Sequence, residues 1–188
     1  MGIRISYMGI PFSNSEEAAG KFAGSHGWKD AELIPEMSSE GVVRSLTEGR
    51  SDYGVVASSN ITAGPVQETE EALRGRDDIA RLCTDTVPIH HCVFVKNTNT
   101  EIHTVSSHIQ ALLQTRDHLS RLYPNTGRLE VEDTAYAAEM LAEGKLADDV
   151  AVVCRKNAGE HYGLILVHEN IEDRSDNMTT FTLLKMKE

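Results

Sequence analysis

Polar side chains that could recognise an organic acid fall in short stretches where the chain passes from one element to the next. Ser58-Ser59-Asn60 is a small polar loop after an apolar run, Ser107-His108-Ile109-Gln110 opens a helix, and Asp133-Thr134 opens another. Helix N-termini and Ser, Thr and Asn side chains bind carboxylates without large net positive charge. Taken singly, each is equally at home as a turn or cap residue, and Asp133 has the type and place of an N-cap.

Other chemistries find little support. Cys83, Cys92 and Cys154 are odd in number, widely spaced and form no CxxC pair, so reduced thiols packed as small apolar groups are expected. Cys92 follows His90 and His91, but neighbours along a strand point to opposite faces, so it is assigned no chemistry. The eight histidines show no HExxH and no ligand spacing joined to cysteines, so no metal site is expected.

The elements that must carry these groups alternate between strand and helix. Residues 3–8 read as a strand, and Ser13-Asn14-Ser15-Glu16 is a capping-box start for a helix to about Gly24. A strand at 31–35, a helix from about Ser39 to a stop at Gly49, a buried strand at 52–57 and a helix at 65–73 follow. This portion is built of βα units, which implies an at least partly parallel sheet. The pattern continues with two strand segments or one bent strand over 79–96, interrupted at Pro88, a strand at 104–106, a helix at 109–123 and a turn at 124–127. A strand at 128–132, a helix from Asp133 to Gly144, a strand at 150–154, a short helix, and strands at 164–167 and 181–186 complete it. Two α/β lobes are expected, lobe 1 over about 1–76 plus 158–188 and lobe 2 over about 77–157.

Composition sets the remaining bounds. The 188 residues carry 18 Lys+Arg against 29 Asp+Glu, a formal charge of −11, with 40% apolar and 25% charged residues. That is ordinary globular composition, and it excludes collagen-like, disordered and disulfide-scaffold classes. No stretch approaches the ~18 to 20 apolar residues of a membrane span, and the first residues lack the apolar core of a signal peptide. The negative balance, without any basic run, argues against nucleic-acid binding, which Lys and Arg carry by neutralising phosphates. A soluble, cytoplasmic protein with neither a nucleic-acid nor a membrane partner is expected.

An ordered set of segments spanning nearly the whole chain resembles the prephenate dehydratase catalytic domain. Gly49-x-x-Asp52-Tyr53-Gly54-Val55-Val56 resembles the run before the family's Pro-Ile-Glu-Asn-Ser loop, which aligns here as Ala57-Ser58-Ser59-Asn60-Ile61, with Gly64, Val66, Glu68 and Thr69 in register. Ser107-His108-Ile109-Gln110-Ala111-Leu112 resembles Ser-His-Pro-Gln-Ala-Leu, and Asp133-Thr134-Ala135-x-Ala137-Ala138 resembles the family's Asp-Thr-Ala helix start. Tyr162-Gly163-Leu164 matches Tyr-Gly-Leu, and Asn177-Met178-Thr179-Thr180-Phe181 sits where the family has Asn-x-Thr-Arg-Phe.

The resemblance implies a two-lobed α/β fold of the periplasmic-binding-protein type II class, with substrate in an inter-lobe cleft. It implies conversion of prephenate to phenylpyruvate with loss of carbon dioxide and water, without a cofactor, in a homodimer. Thr179 corresponds to the threonine that assists the leaving hydroxyl. Asn60, Ser107, His108, Gln110 and Thr134 fall on substrate-binding positions, with Ser59 and Thr180 at the places of the family's glutamate and arginine. Those two positions are departures, as are Ile61 for serine and Ile109 for proline. The family's Gly-Pro-x-Gly-Thr-Phe-Ser loop reads Gly9-Ile10-Pro11-Phe12-Ser13-Asn14-Ser15, which is bulkier and poorer in glycine.

Turnover of prephenate that is weak or absent is therefore expected. A prephenate decarboxylase that keeps the ring hydroxyl, and a module that binds an aromatic or dicarboxylic acid without turnover, stay open beside the dehydratase. The chain ends seven residues after Phe181, so neither a phenylalanine-sensing ACT domain nor a preceding chorismate mutase segment is expected.

Overall fold

Buried central strands flanked by helices determine most of the architecture, which a computed structural model describes for residues 2–187. Met1 and Glu188, the ends of the span expected to form one catalytic-type domain, lie outside the described residues. The first strand, β1 (Arg4–Met8), is buried over its last four residues and leads to α1 (Asn14–Ser25), where the Ser13 hydroxyl accepts the Glu16 N–H as N-cap. Next come β2 (Glu32–Glu36), α2 (Ser39–Thr47) capped by Ser38, β3 (Tyr53–Asn60), the short β4 (Gly64–Pro65), α3 (Gln67–Ala72) and β5 (Ile79–Pro88).

A second run holds β6 (Cys92–Val95), β7 (Thr104–Ser107), α4 (Ile109–Gln114), α5 (Arg116–Leu122) and β8 (Gly127–Glu130). It continues with α6 (Thr134–Ala142), β9 (Val150–Cys154), α7 (Lys156–His161) and β10 (Ile165–His168), and the chain returns with β11 (Met178–Met186). Two units result: Met1–Pro88 with Met178–Glu188, and Ile89–Asn177.

In unit 1 the strand order is β2-β1-β3-β11-β5, with β4 on β3. β1 pairs parallel with both β2 and β3, while β11 runs antiparallel between β3 and β5. Met8, Val42, Val43, Leu46, Val56 and Leu184 form the core on the α2 side. Tyr7 points to the other side, where its hydroxyl meets the Glu16 carboxylate of α1 at 3.4 Å. Gly54 is required by a close approach, because a Cβ there would lie 2.6 Å from Val42 Cγ1. Unit 2 has the order β10-β6-β9-β7-β8, parallel for β7 with β8 and β9 and antiparallel for β6 with β9 and β10. Its core joins Val93, Val95, Val105, Leu112, Leu119 and Val153.

Several expectations are corrected. The crossings lie at Pro88/Ile89 and Asn177/Met178 rather than near residues 76 and 157, because β5 pairs along its length with β11, and β10 pairs with β6 in the other sheet. The helix expected at 109–123 breaks at Thr115, whose hydroxyl donates to Ala111 C=O at 2.7 Å, while the Asp173 carboxylate accepts the N–H groups of Asp117 and His118. Pro65 lies in β4, not in the helix. Cys83 is exposed, whereas Cys92 and Cys154, far apart in sequence, are buried register partners on β6 and β9. Among the described residues no helix is long and apolar enough to cross a membrane, and no group of three or more His, Cys, Asp or Glu could hold a metal ion.

Candidate active site

Asn60, expected in a loop, and Thr179, expected just before a strand, instead face each other as register partners on β3 and β11. Both are buried. The Asn60 carboxamide organises the strand end: Nδ2 donates to Met178 C=O and to Thr179 Oγ1, each at 3.0 Å, while Oδ1 accepts the N–H groups of Thr62 and Ala63 at 2.8 and 2.9 Å. An Asx turn thus closes β3 and at the same time orients the threonine. With a lone pair of Thr179 Oγ1 engaged by Asn60, the hydroxyl proton is directed elsewhere. Among the described residues it meets no acceptor within hydrogen-bond reach.

Ser59 and Thr180 do not share that face. They are register partners of each other, and strand alternation along β11 sends Thr180 away from Thr179 to the side of Leu184 and α2. The two departures thus lie on the opposite strand face from Thr179 and Asn60. Between the Ser59–Thr180 pair and the next, Ala57–Phe181, β3 carries one extra residue, Ser58, whose hydroxyl donates to Thr180 C=O and accepts from Thr182 Oγ1. A bulge of this kind re-aims the side chains beyond it.

In unit 2 the expected residues lie where parallel strands hand over to helices. Ser107 ends β7, and its buried hydroxyl donates to Val153 C=O at 2.6 Å, so it ties β7 to β9. His108 caps α4: its Nδ1 accepts the Gln110 N–H at 3.3 Å, which assigns the proton of the neutral ring to Nε2. Burial pushes the imidazole below its ordinary value, in keeping with that neutral form. Gln110 carries a buried Oε1 with no partner among the described residues. Thr134 opens α6 behind Asp133, whose Oδ1 accepts the N–H groups of Ala135 and Tyr136 at 2.7 and 3.0 Å. Burial raises the Asp133 carboxyl to about 6, against the lowering effect of those N–H donors. Asp133 is the N-cap that its type and place suggest.

A buried network beside the crossing carried no role in the sequence-based reading. Gln114 Oε1 accepts from both Asn177 Nδ2 and His91 Nε2 at 2.8 Å, and the Glu172 carboxylate takes the His91 N–H at 3.0 Å and His90 Nδ1 at 2.7 Å. Gln114 and Glu172 belong to no motif in the sequence, and only the fold brings them to His91.

A family model described as prephenate dehydratase matches residues 5–188. Arogenate dehydratase 1 of Petunia hybrida is 33% identical over 184 residues, covering 97% of this chain and 42% of its own length. The bifunctional chorismate mutase/prephenate dehydratase of Neisseria gonorrhoeae is 34% identical over 187 residues, covering 97% of this chain and 49% of its own. The chain therefore spans less than half the length of these curated relatives. Among solved structures, prephenate dehydratase from Arthrobacter aurescens in complex with L-Phe superposes with a TM-score of 0.80 at 24% identity, over 99% of this chain and 60% of that one. A putative methionine-binding lipoprotein from Bacillus subtilis, at a TM-score of 0.54 and 12% identity, covers 99% of this chain and 83% of its own and relates the fold to binding proteins of the periplasmic type.

Proposed function

The chain belongs to the prephenate dehydratase family, and on that premise we propose that it converts prephenate to phenylpyruvate, carbon dioxide and water. The electron pair of the ring–carboxylate bond moves into the ring, the opposite carbon–oxygen bond breaks, and the departing hydroxyl leaves as water with a proton drawn from solvent. Aromatisation supplies the driving force, so the protein needs to orient the substrate and stabilise the departing oxygen. Thr179 donates the hydrogen bond to that oxygen, and Asn60 holds it in position.

The observation that carries this reading is the Asn60 Nδ2–Thr179 Oγ1 bond at 3.0 Å, which leaves the hydroxyl proton of Thr179 as a donor. Within unit 2, Gln110, the Nε2–H of His108 and Thr134 at the start of α6 are groups of the kind that bind a carboxylate. The family's other named substrate, arogenate, differs in carrying an amine where prephenate has a keto group. The same reading takes the enzyme to be cytoplasmic and homodimeric, and a monomer in sedimentation at micromolar concentration would count against the latter.

Incubation with prephenate and, separately, with arogenate tests the proposal. Phenylpyruvate from the first or phenylalanine from the second supports it. A decarboxylated product that keeps its ring hydroxyl would point to a decarboxylase, and binding without product would point to a binding module.

A further inference from the structure

Phe12, in the loop between β1 and α1, has a φ of 72°. For a bulky L side chain this left-handed region is a steric outlier, whereas Gly9 in the same loop takes φ 100° without such a penalty. The conformation is fixed from several sides. Glu16 Oε2 accepts the Phe12 N–H at 2.7 Å, the other carboxylate oxygen meets the Tyr7 hydroxyl, and Ser13 caps α1 while donating its own N–H to Ile10 C=O at 3.2 Å. Strained backbone that the surroundings hold in place clusters at functional sites, and the inference runs from such an outlier to a function.

The place of the loop in the topology supplies the second argument. The chain leaves β1 through α1 to β2, then returns past β1 to β3, so the strand order reverses between β1 and β3. Ligands of open α/β sheets bind beyond the carboxyl ends of strands at such a reversal. The loop holding Phe12 leaves β1 at that end, and Asn60 closes β3 at the same end with Thr179 opposite it. Register carries Thr179 onto the face shared by Phe181, Leu183 and Tyr7, which is the face that meets Glu16 of α1. Within unit 1 the strained aromatic and the oriented hydroxyl therefore belong to one edge and one face of the sheet.

We propose that Phe12 is a substrate-positioning residue, held in its left-handed conformation so that its ring packs against the six-membered ring of the substrate whose hydroxyl Thr179 receives. This rests on the dehydratase reading above. A side chain retained at a conformation that glycine would adopt freely is kept for its ring.

The test compares Phe12→Gly and Phe12→Leu with the natural protein. Phe12→Gly should raise KM for prephenate and for arogenate by a similar factor of about 10 or more, the effect of a lost apolar contact, with kcat changed less than about 3-fold. Its thermal midpoint should hold or rise because the backbone strain is released. Phe12→Leu should recover part of the KM. An unchanged KM in Phe12→Gly overturns the proposal, and so does a fall in thermal midpoint with KM unaltered, the signature of a purely structural residue. If the natural protein turns over neither acid, the dehydratase reading fails, and calorimetric titration with phenylpyruvate decides the role of Phe12. Binding at least 10-fold weaker in Phe12→Gly sustains it as a ring contact, whereas equal binding, or none to either protein, overturns it.

Discussion

At the end of β3 the polar groups are positioned by strand register, whereas at the starts of α4 and α6 they are positioned by caps. In the first region a carboxamide serves the backbone with three contacts and still orients a neighbouring hydroxyl, whose proton remains a donor. In the second, Ser107 and Asp133 are absorbed by the backbone, and Gln110 keeps an oxygen with no partner among the described residues. The difference teaches that a polar residue in a family motif can serve either the fold or the reaction, and that its hydrogen-bond partners tell which.

Substitutions can break or sharpen that contrast. The largest effect is expected at Thr179: Thr179→Val should lower kcat by about 10²–10³-fold, ~2.7–4 kcal/mol in the barrier, while Thr179→Ser retains most of it. Equal activity in Thr179→Val would remove the register-held hydroxyl from the reaction.

Asp133 tests the cap region through pH. Its carboxyl is raised to about 6 in the folded chain and titrates near ~3.9 when unfolded. Between those values the folded state holds the proton that the unfolded state has lost, so stability falls as pH rises from about 4 to 6, by about 2–3 kcal/mol. Asp133→Asn, which keeps a capping side chain, should flatten that fall in a series of thermal melts across pH. A parallel curve would place the raised carboxyl elsewhere.

Gly159 tests packing alone. A Cβ there would lie 2.5 Å from the Phe94 ring, and overpacking of a core costs about 1–3 kcal/mol. Gly159→Ala should destabilise unit 2 by that amount in denaturant titration. Ser107→Ala, which removes the bond to Val153, should cost about 1 kcal/mol of stability and leave kcat unchanged, in contrast with Thr179.

The smallest effect belongs to the paired departures. Because Ser59 and Thr180 are register partners, Ser59→Glu with Thr180→Arg would form a cross-strand charge pair worth roughly 0.2–1 kcal/mol. The double variant should therefore be more stable than the sum of the single variants. A change in kcat beyond about 3-fold would show that this face also communicates with Thr179.

Much of this was legible in the sequence. The βα alternation, the Ser13 and Asp133 caps and the ordered motifs pointed to the fold and to Asn60, Gln110 and Thr179. What stayed hidden depends on register. Residues 58–60 looked like a loop because small polar residues favour turns, yet pairing with β11 keeps them in β3. Ser59 and Asn60 looked like one site because they adjoin, although a strand sends neighbours to opposite faces. His91 and Gln114 are joined only by tertiary structure, and the strain at Phe12 has no sequence signal beyond a large residue in a loop expected to favour glycine.

The pairing of Pro88 with Met178 has a consequence for how the chain assembles. β5 and β11 are the arms of an antiparallel pair whose connecting turn is an entire folded unit. The ends of that unit are already joined, since Ile89 N–H donates to Asn177 C=O at 2.9 Å. Synthesis delivers β3 and β5 early, with ladder edges that stay unpaired until the last strand arrives, a state prone to association. Once unit 2 has folded, it brings Pro88 and Met178 together in advance, and the entropy of closing so long a loop, about 3 kcal/mol more than for a two-residue turn, is met before β11 docks. Unit 2 thus serves as the nucleating turn of its neighbour's central sheet.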